Sequence, residues 1–157
     1  MQSTSTCLWF DNQALEAATF YVSLLPDSRI LDTKFYLEGG PQPAGSVLTV
    51  QFLLAGTEYL ALNGGPHFKF SPAISIVVYC DTQPEIDALW RKLLEGGQPS
   101  QCGWLTDKHG LSWQIVPRPF LKLMNSKDTA ASQRAFAAMM QMTKLDIAVL
   151  QKAYDGT

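Results

Sequence analysis

The feature that most constrains this chain is that it repeats itself. A short apolar strand leads through Trp9-Phe10-Asp11-Asn12-Gln13 into helix-forming residues ending at Leu24, and a second one leads through Tyr79-Cys80-Asp81-Thr82-Gln83 into helix-forming residues ending at Leu94. At an offset of 70 residues Asp11 falls on Asp81, Gln13 on Gln83, Ala18 on Ala88, Phe20 on Trp90 and Leu24 on Leu94. The offset predicts that caps and core positions coincide. Each copy continues into strands that close on a glycine hairpin, so the chain reads as one supersecondary unit used twice.

The first unit begins with a strand over 6–10, and Asp11 or Asn12 is the expected N-cap of a helix over Ala14 to Leu24. A strand returns over 29–37, and Glu38-Gly39-Gly40-Pro41-Gln42-Pro43-Ala44-Gly45 can only be an extended turn. From Val47 to Leu54 the period is two: Leu48, Val50, Phe52 and Leu54 share one face, Thr49 and Gln51 the other. Ala55-Gly56-Thr57 is a tight hairpin, and residues 58–63 complete the unit. Residues 63–72 read as a linker, with His67 and two phenylalanines in it.

The second unit opens with a strand over 73–80. Thr82 and Glu85 have capping-box spacing, with Pro84 in the first turn, where a missing N–H costs little. Ile86, Leu89, Trp90, Leu93 and Leu94 form the expected buried stripe, and Gly96-Gly97 the stop. Strands near 99–107 and 111–117 are expected to meet at Lys108-His109-Gly110. Beyond Pro117-Arg118-Pro119 the sequence turns to Ala, Met and Gln. Two helices are expected there, about Thr129 to Met140 and, capped by Thr143, Lys144 to Tyr154. The stripe Ile147, Leu150 and Tyr154 must find a surface in its own domain or in a second subunit. The expected division is a domain over 1–120, with modules at about 6–63 and 73–117, and a helical extension over 121–157.

Composition narrows the function. At 157 residues the chain can bury roughly 70% of its unfolded surface, so folding requires neither disulfide nor metal. Twelve basic residues face 14 acidic ones without a cationic stripe, which argues against nucleic acid as a partner. No run is apolar enough to suggest a membrane span, and residues 1–28, lacking Lys and Arg, do not have the pattern of an ordinary signal peptide. Cys7, Cys80 and Cys102 share no CxxC spacing, which points to a reducing, cytoplasmic location.

Several segments together carry a family resemblance. They are Leu8-Trp9-Phe10 with Ala17-Ala18-Thr19-Phe20-Tyr21, Leu60-Ala61-Leu62-Asn63-Gly64-Gly65-Pro66, Cys80-Asp81 with Asp87-Ala88-Leu89-Trp90, Cys102-Gly103-Trp104, and Asp107 through Gly110-Leu111-Ser112-Trp113-Gln114-Ile115-Val116-Pro117. On these the chain resembles the PhnB-like branch of the vicinal oxygen chelate superfamily, often labelled 3-demethylubiquinone-9 3-methyltransferase. The resemblance implies an α+β fold of two βαβββ modules, eight strands curled into an incomplete barrel that forms a cup, and a homodimer.

In metal-dependent relatives, His, Gln or Glu side chains from the first and last strands of the modules hold a divalent ion in the cup. Here the first strands offer only Ser, Thr, Cys, Pro and aliphatic side chains, Leu60 stands at one closing-strand position, and Gln114 takes the place of a glutamate. No metal and no cofactor is therefore expected. The polar residues expected to face the cup are Thr49, Gln51, Ser75, Ser112 and Gln114, the sparse polar lining of a small-molecule pocket; solvent exposure on an open sheet is the competing reading. No catalytic residue is assigned. Cys7 and Cys80, at matching strand ends, are read as buried structural thiols with no cation beside them. Asp11 and Asp81 are read as caps, and Asp107-Lys108-His109 as ordinary hairpin residues. A nucleotide-type methyl donor needs a glycine-rich turn between strand and helix, and Gly39-Gly40, Gly64-Gly65 and Gly96-Gly97 do not stand at one. The expected function is binding of a small organic molecule. An enzyme of the same fold (a metal-assisted isomerase, lyase or dioxygenase) and a dimerisation or interaction protein are the alternatives.

Overall fold

The computed structural model describes residues 1–157, which divide into two compact units, Met1–Lys69 and Phe70–Thr157. The first contains β1 (Thr6–Phe10), α1 (Ala14–Val22), β2 (Arg29–Phe35), β3 (Val47–Leu54) and β4 (Thr57–Asn63). In the second, β5 (Ser75–Cys80), α2 (Gln83–Leu94), β6 (Gln98–Pro99), β7 (Trp104–Thr106) and β8 (Ser112–Pro117) repeat that order, and α3 (Arg118–Met124), α4 (Thr129–Met139) and α5 (Ile147–Asp155) complete the chain. The sheets have the same topology, β1-β4-β3-β2 and β5-β8-β7-β6, and no strand pairing joins them into a closed barrel. The fold is the expected α+β pair of βαβββ modules.

Each sheet buries one face under its helix. In the first unit Leu8, Phe10, Val50, Phe52, Leu54 and Ala61 meet Ala14, Ala17, Ala18 and Tyr21 of α1. The three alanines leave space for the Tyr21 ring, whose centroid lies 6.3 Å from that of Phe52. In the second unit Ile76, Val78, Cys80, Leu105, Trp113 and Ile115 meet Ile86, Leu89, Trp90 and Leu93. Both buried helix sets have the i, i+3, i+4, i+7 spacing of one helix face. They are in phase at 72 residues, however, not at the 70 that aligns the first strands, β1 and β5. Phe20 is therefore only half-buried while Trp90 is in the core.

The caps also depart from expectation at three places. Neither Asp11 nor Asn12 caps α1: Gln13 stands at its N-cap without a side-chain bond, and the first helical N–H, of Ala14, donates to Oδ1 of Asn63 at 2.8 Å. A strand residue distant in sequence thus replaces the local cap. In α2 the expected capping box forms, with Glu85 Oε2 accepting from the N–H groups of both Asp81 and Thr82. That frees the Asp81 carboxylate to pair with Arg118, 3.3 Å away, so it is not a cap. The last helix starts at Ile147 under Asp146, not at Lys144 under Thr143. Residues 142 and 143 stay outside the helix, their carbonyls accepting from the N–H groups of Cys102 and Gly103 at 2.8 and 2.7 Å, while Leu145 is drawn into the core.

Two elements were not expected. The strand anticipated over 99–107 is broken into β6 and β7 by a turn in which Cys102 and Gly103 both have positive φ, 60° and 84°. Helix α3 begins at Arg118, ahead of the first helix expected at about Thr129, since proline is well tolerated in a first turn. The last three helices enclose Phe120, Ala135, Leu145 and Leu150, with Tyr154 packed against them. The terminal stripe thus finds its surface within the second unit.

Two glycines are fixed by close approach. A Cβ on Gly64 would enter the indole ring of Trp9, whose Nε1 donates to Gly65 O at 2.9 Å, and one on Gly97 would collide with the Thr106 carbonyl oxygen. The first contact is with a side chain and the second with backbone, which cannot rotate away.

Candidate functional site

In β5 and β8 the residues alternate between the α2 side and the opposite face. Strand pairing aligns Ser75 with Ser112, Val77 with Gln114 and Tyr79 with Val116, and aligns Trp104 of β7 with Gln114. All of these share the face away from α2. Val77 and Tyr79 are 36% and 49% exposed, so an apolar sheet face lies open to solvent. Within it is a cavity of about 290 Å³ whose sheet wall is Val77, Tyr79, Trp104, Gln114 and Val116. Phe120 and Leu121 of α3, Met139 of α4, Leu145 and Cys102 close its other sides. The C-terminal helices thereby become walls of the site.

Gln114 contributes the one side-chain amide of this lining. Its Nε2 donates to Ser75 Oγ at 2.9 Å, which fixes the amide and presents Oε1 as an acceptor. Cys102 lines the cavity in a left-handed conformation, costly for a side chain with Cβ; its N–H donates to Met142 O, and the N–H of Gly103 beside it donates to Thr143 O.

The five residues expected to line a cup separate into two groups. Ser75, Ser112 and Gln114 share one face of the second sheet, but only Gln114 lines the cavity; Ser75 supports it, and Ser112 is 4% exposed. Thr49 and Gln51 share the face of the first sheet that points away from α1, and there Gln51 Nε2 donates to Glu58 Oε1 at 2.5 Å. That amide is already engaged. The apolar walls were missed: alternation alone places Val77 and Tyr79 beside Ser75, and Val116 beside Gln114, whereas no local signal in Phe120, Met139 or Leu145 points to a site.

The metal question depends on the donors present. Pairing of Cys7 with Leu60 in the first unit matches that of Val77 with Gln114 in the second, so the closing-strand positions carry one leucine and one amide. No group of three His, Cys, Asp or Glu side chains in the structure is placed to hold an ion. Asp107 is not ordinary hairpin surface: it is 3% exposed, Oδ1 accepts from the N–H groups of His109 and Leu111, and Oδ2 accepts from Trp113 Nε1 at 2.9 Å. Its oxygens organise the turn. A methyl donor fits no better, because the turn between β5 and α2 has no glycine and its N–H groups are taken by Glu85.

The cysteines are not equivalent. Cys80 is buried on the α2 side, where burial and then the charges of Glu85 and Asp81 push its thiol up to about 11, against a smaller opposing effect of Arg118. Cys7 lies on the other face of its own sheet and is exposed, contrary to the buried thiol expected; partial desolvation still raises its pKa. Both favour the protonated, unreactive form.

Comparison with solved structures gives a PhnB protein from Bacillus cereus at 36% identity and TM-score 0.68, the match covering 74% of this chain and 99% of that one. A Pseudomonas aeruginosa protein aligns at 19% identity and TM-score 0.61, over 74% and 98% of the two chains, and the fosfomycin resistance protein FosX from Mesorhizobium loti at 14% and 0.51, over 73% and 90%. These two show the shared vicinal oxygen chelate fold alone. No match was found among curated proteins. Residues 2–116 match the 3-demethylubiquinone-9 3-methyltransferase family, and the chain belongs to that PhnB-like family of the vicinal oxygen chelate fold.

Proposed function

We propose that this protein binds a small, largely apolar organic molecule in the cavity of its second unit, without an obligatory metal and without transferring a methyl group. The observation that carries this reading is the lining: aliphatic and aromatic walls around one amide, Gln114, whose orientation Ser75 fixes. Ligand sites are typically apolar with a few placed polar groups, and about 290 Å³ is close to the lower end of their size range, which suits a small ligand. Burial of apolar ligand area against Val77 and Tyr79 supplies the driving force. The family name suggests methyl transfer, and the β5 to α2 turn gives that activity no support.

The protein is further proposed to act as a homodimer in the cytoplasm. The three free cysteines support that location.

A thermal-shift screen of small neutral aromatics tests the binding reading, with Val77→Trp as the filled-cavity control. Ligand at about 100 times its dissociation constant stabilises by roughly 2.7 kcal/mol, and the control is expected to lose that shift. A panel that shifts neither protein, or both equally, contradicts the reading. Metal analysis by plasma mass spectrometry is expected to find far less than one ion per chain; a stoichiometric transition metal retained through purification contradicts the metal-free part.

A further inference from the structure

We propose that the ligand of this cavity is a small aromatic monoanion, its ring against Tyr79 and Trp104 and its acidic group at the mouth between Arg118 and Lys122. The inference rests on the reading of the cavity as a ligand site. Tyr79 and Leu121 line both the cavity and an adjoining open depression of about 320 Å³, whose other walls are Arg118, Lys122 and Asn125. The apolar cavity and the cationic depression therefore adjoin across two shared side chains, and that depression is taken as the mouth.

The charges at the mouth favour a single acid. Arg118 Nε lies 3.3 Å from Asp81 Oδ1, and Lys122 adds a second cation, so the three groups sum to one positive charge. A monoanion balances those three groups, and the Glu85 carboxylate behind Asp81, accepting from its N–H at 2.7 Å, disfavours a dianion further. The Arg118 guanidinium also sits 5.6 Å from the centre of the Tyr79 ring, which holds the cation over the aromatic wall. An aromatic ring in the cavity finds Tyr79 and Trp104 as partners for offset or edge contacts. Helix α3 supplies both the apolar residues Phe120 and Leu121 and the two cations, and it lies beyond the residues that match the family. The preference for an acid is thus set by the C-terminal region of this chain.

Two probes with one ring system, 2-naphthoate and 2-naphthol, separate the two parts of the idea by calorimetric titration. Naphthoate is expected to bind about fivefold more tightly, a gap of the size that exposed ion pairs provide, and the gap should shrink as salt is raised. Lys122→Ala should narrow the gap, and Lys122→Ala with Arg118→Gln should close it, naphthoate losing more affinity than naphthol. The single variant keeps the test valid if loss of the Arg118 contacts disturbs the fold. Equal affinity of both probes, or a gap that survives the double substitution, overturns the monoanion assignment and leaves the cavity reading intact. Failure of both probes to bind wild type, or binding that Val77→Trp does not weaken, overturns the cavity reading as well.

Discussion

In the first unit Gln51 donates to Glu58, a neighbour on its own sheet face, whereas in the second Gln114 donates to Ser75 and keeps its oxygen toward an apolar cavity. A cavity of the first unit lies elsewhere: about 170 Å³ beside the glycine-rich loop, lined by Asp11, Asn12, Tyr36, Gln42 and Asn63 among others. Two sheets of identical topology thus differ in what stands on the faces turned away from α1 and α2. The βαβββ unit itself does not separate them. The difference comes from the C-terminal helices, since only the second sheet is succeeded by residues such as Phe120, Leu121 and Met139 that bound a cavity. A duplicated scaffold supplies equivalent positions, and additions outside the repeat determine which become a site.

The largest expected effect breaks the comparison at the helices. Trp90→Ala removes a core indole that has alanine, Ala18, at the matching place in α1, and is expected to cost about 3 to 5 kcal/mol in urea unfolding. A loss below about 1 kcal/mol would mean that the two helices do not pack in phase at 72 residues. Next are the close-approach glycines. Gly97→Ala should destabilise by about 2 kcal/mol or more, and exceed Gly64→Ala, because it meets a backbone carbonyl where Gly64 meets the Trp9 ring. Equal losses would show that the Trp9 ring yields no more readily than backbone.

The paired amides sharpen the contrast between the sheet faces. Gln51→Leu should cost about 1 kcal/mol in stability through its bond to Glu58 and leave ligand binding unchanged. Gln114→Leu should weaken binding of a hydroxylated aromatic, with calorimetry as the readout. An effect on binding from Gln51 alone would move the site to the first unit.

Two pH effects are smaller. Because the Cys80 thiol is raised to about 11, the folded state holds its proton at pH values where the unfolded thiol ionises. Stability is complete below about pH 9 and falls as pH rises from there toward 11, and Cys80→Ala should flatten that limb. The Asp87 carboxylate is lowered mainly by its bond from Lys144 Nζ, 2.6 Å away, and then by Gln83. Its contribution is complete above the ordinary carboxylate pKa and disappears as pH falls through the lowered value, so wild type and Asp87→Asn should converge in acid. Both partners are well exposed, which keeps this effect the least of the series.

Much of the fold was legible because period-two and helical alternation are local signals. The strand faces of β3, the Thr82–Glu85 capping box and the stripe from Ile86 to Leu93 can each be read within a dozen residues. The features that were not legible depended on distant partners. The Ala14 N–H is satisfied by Asn63, which left Asp11 and Asn12 without the capping role their positions suggested. Thr143 resembles a cap, yet its carbonyl is held by Gly103. Gln114 was identifiable as a candidate because a polar side chain on an apolar strand is conspicuous, and it lines the cavity. Leu145 and Met139 were not, since a cavity wall and a core residue look alike in sequence.

The most direct test is a titration of isotope-labelled protein with 2-naphthol, monitoring both glutamine side-chain amides and the tryptophan indoles by two-dimensional ¹⁵N–¹H correlation spectra. The account expects the Gln114 amide and Trp104 indole signals to shift together and saturate, with the Gln51 amide unmoved. Shifts centred on Gln51 and Trp9, or no saturable shift at Gln114, would contradict it.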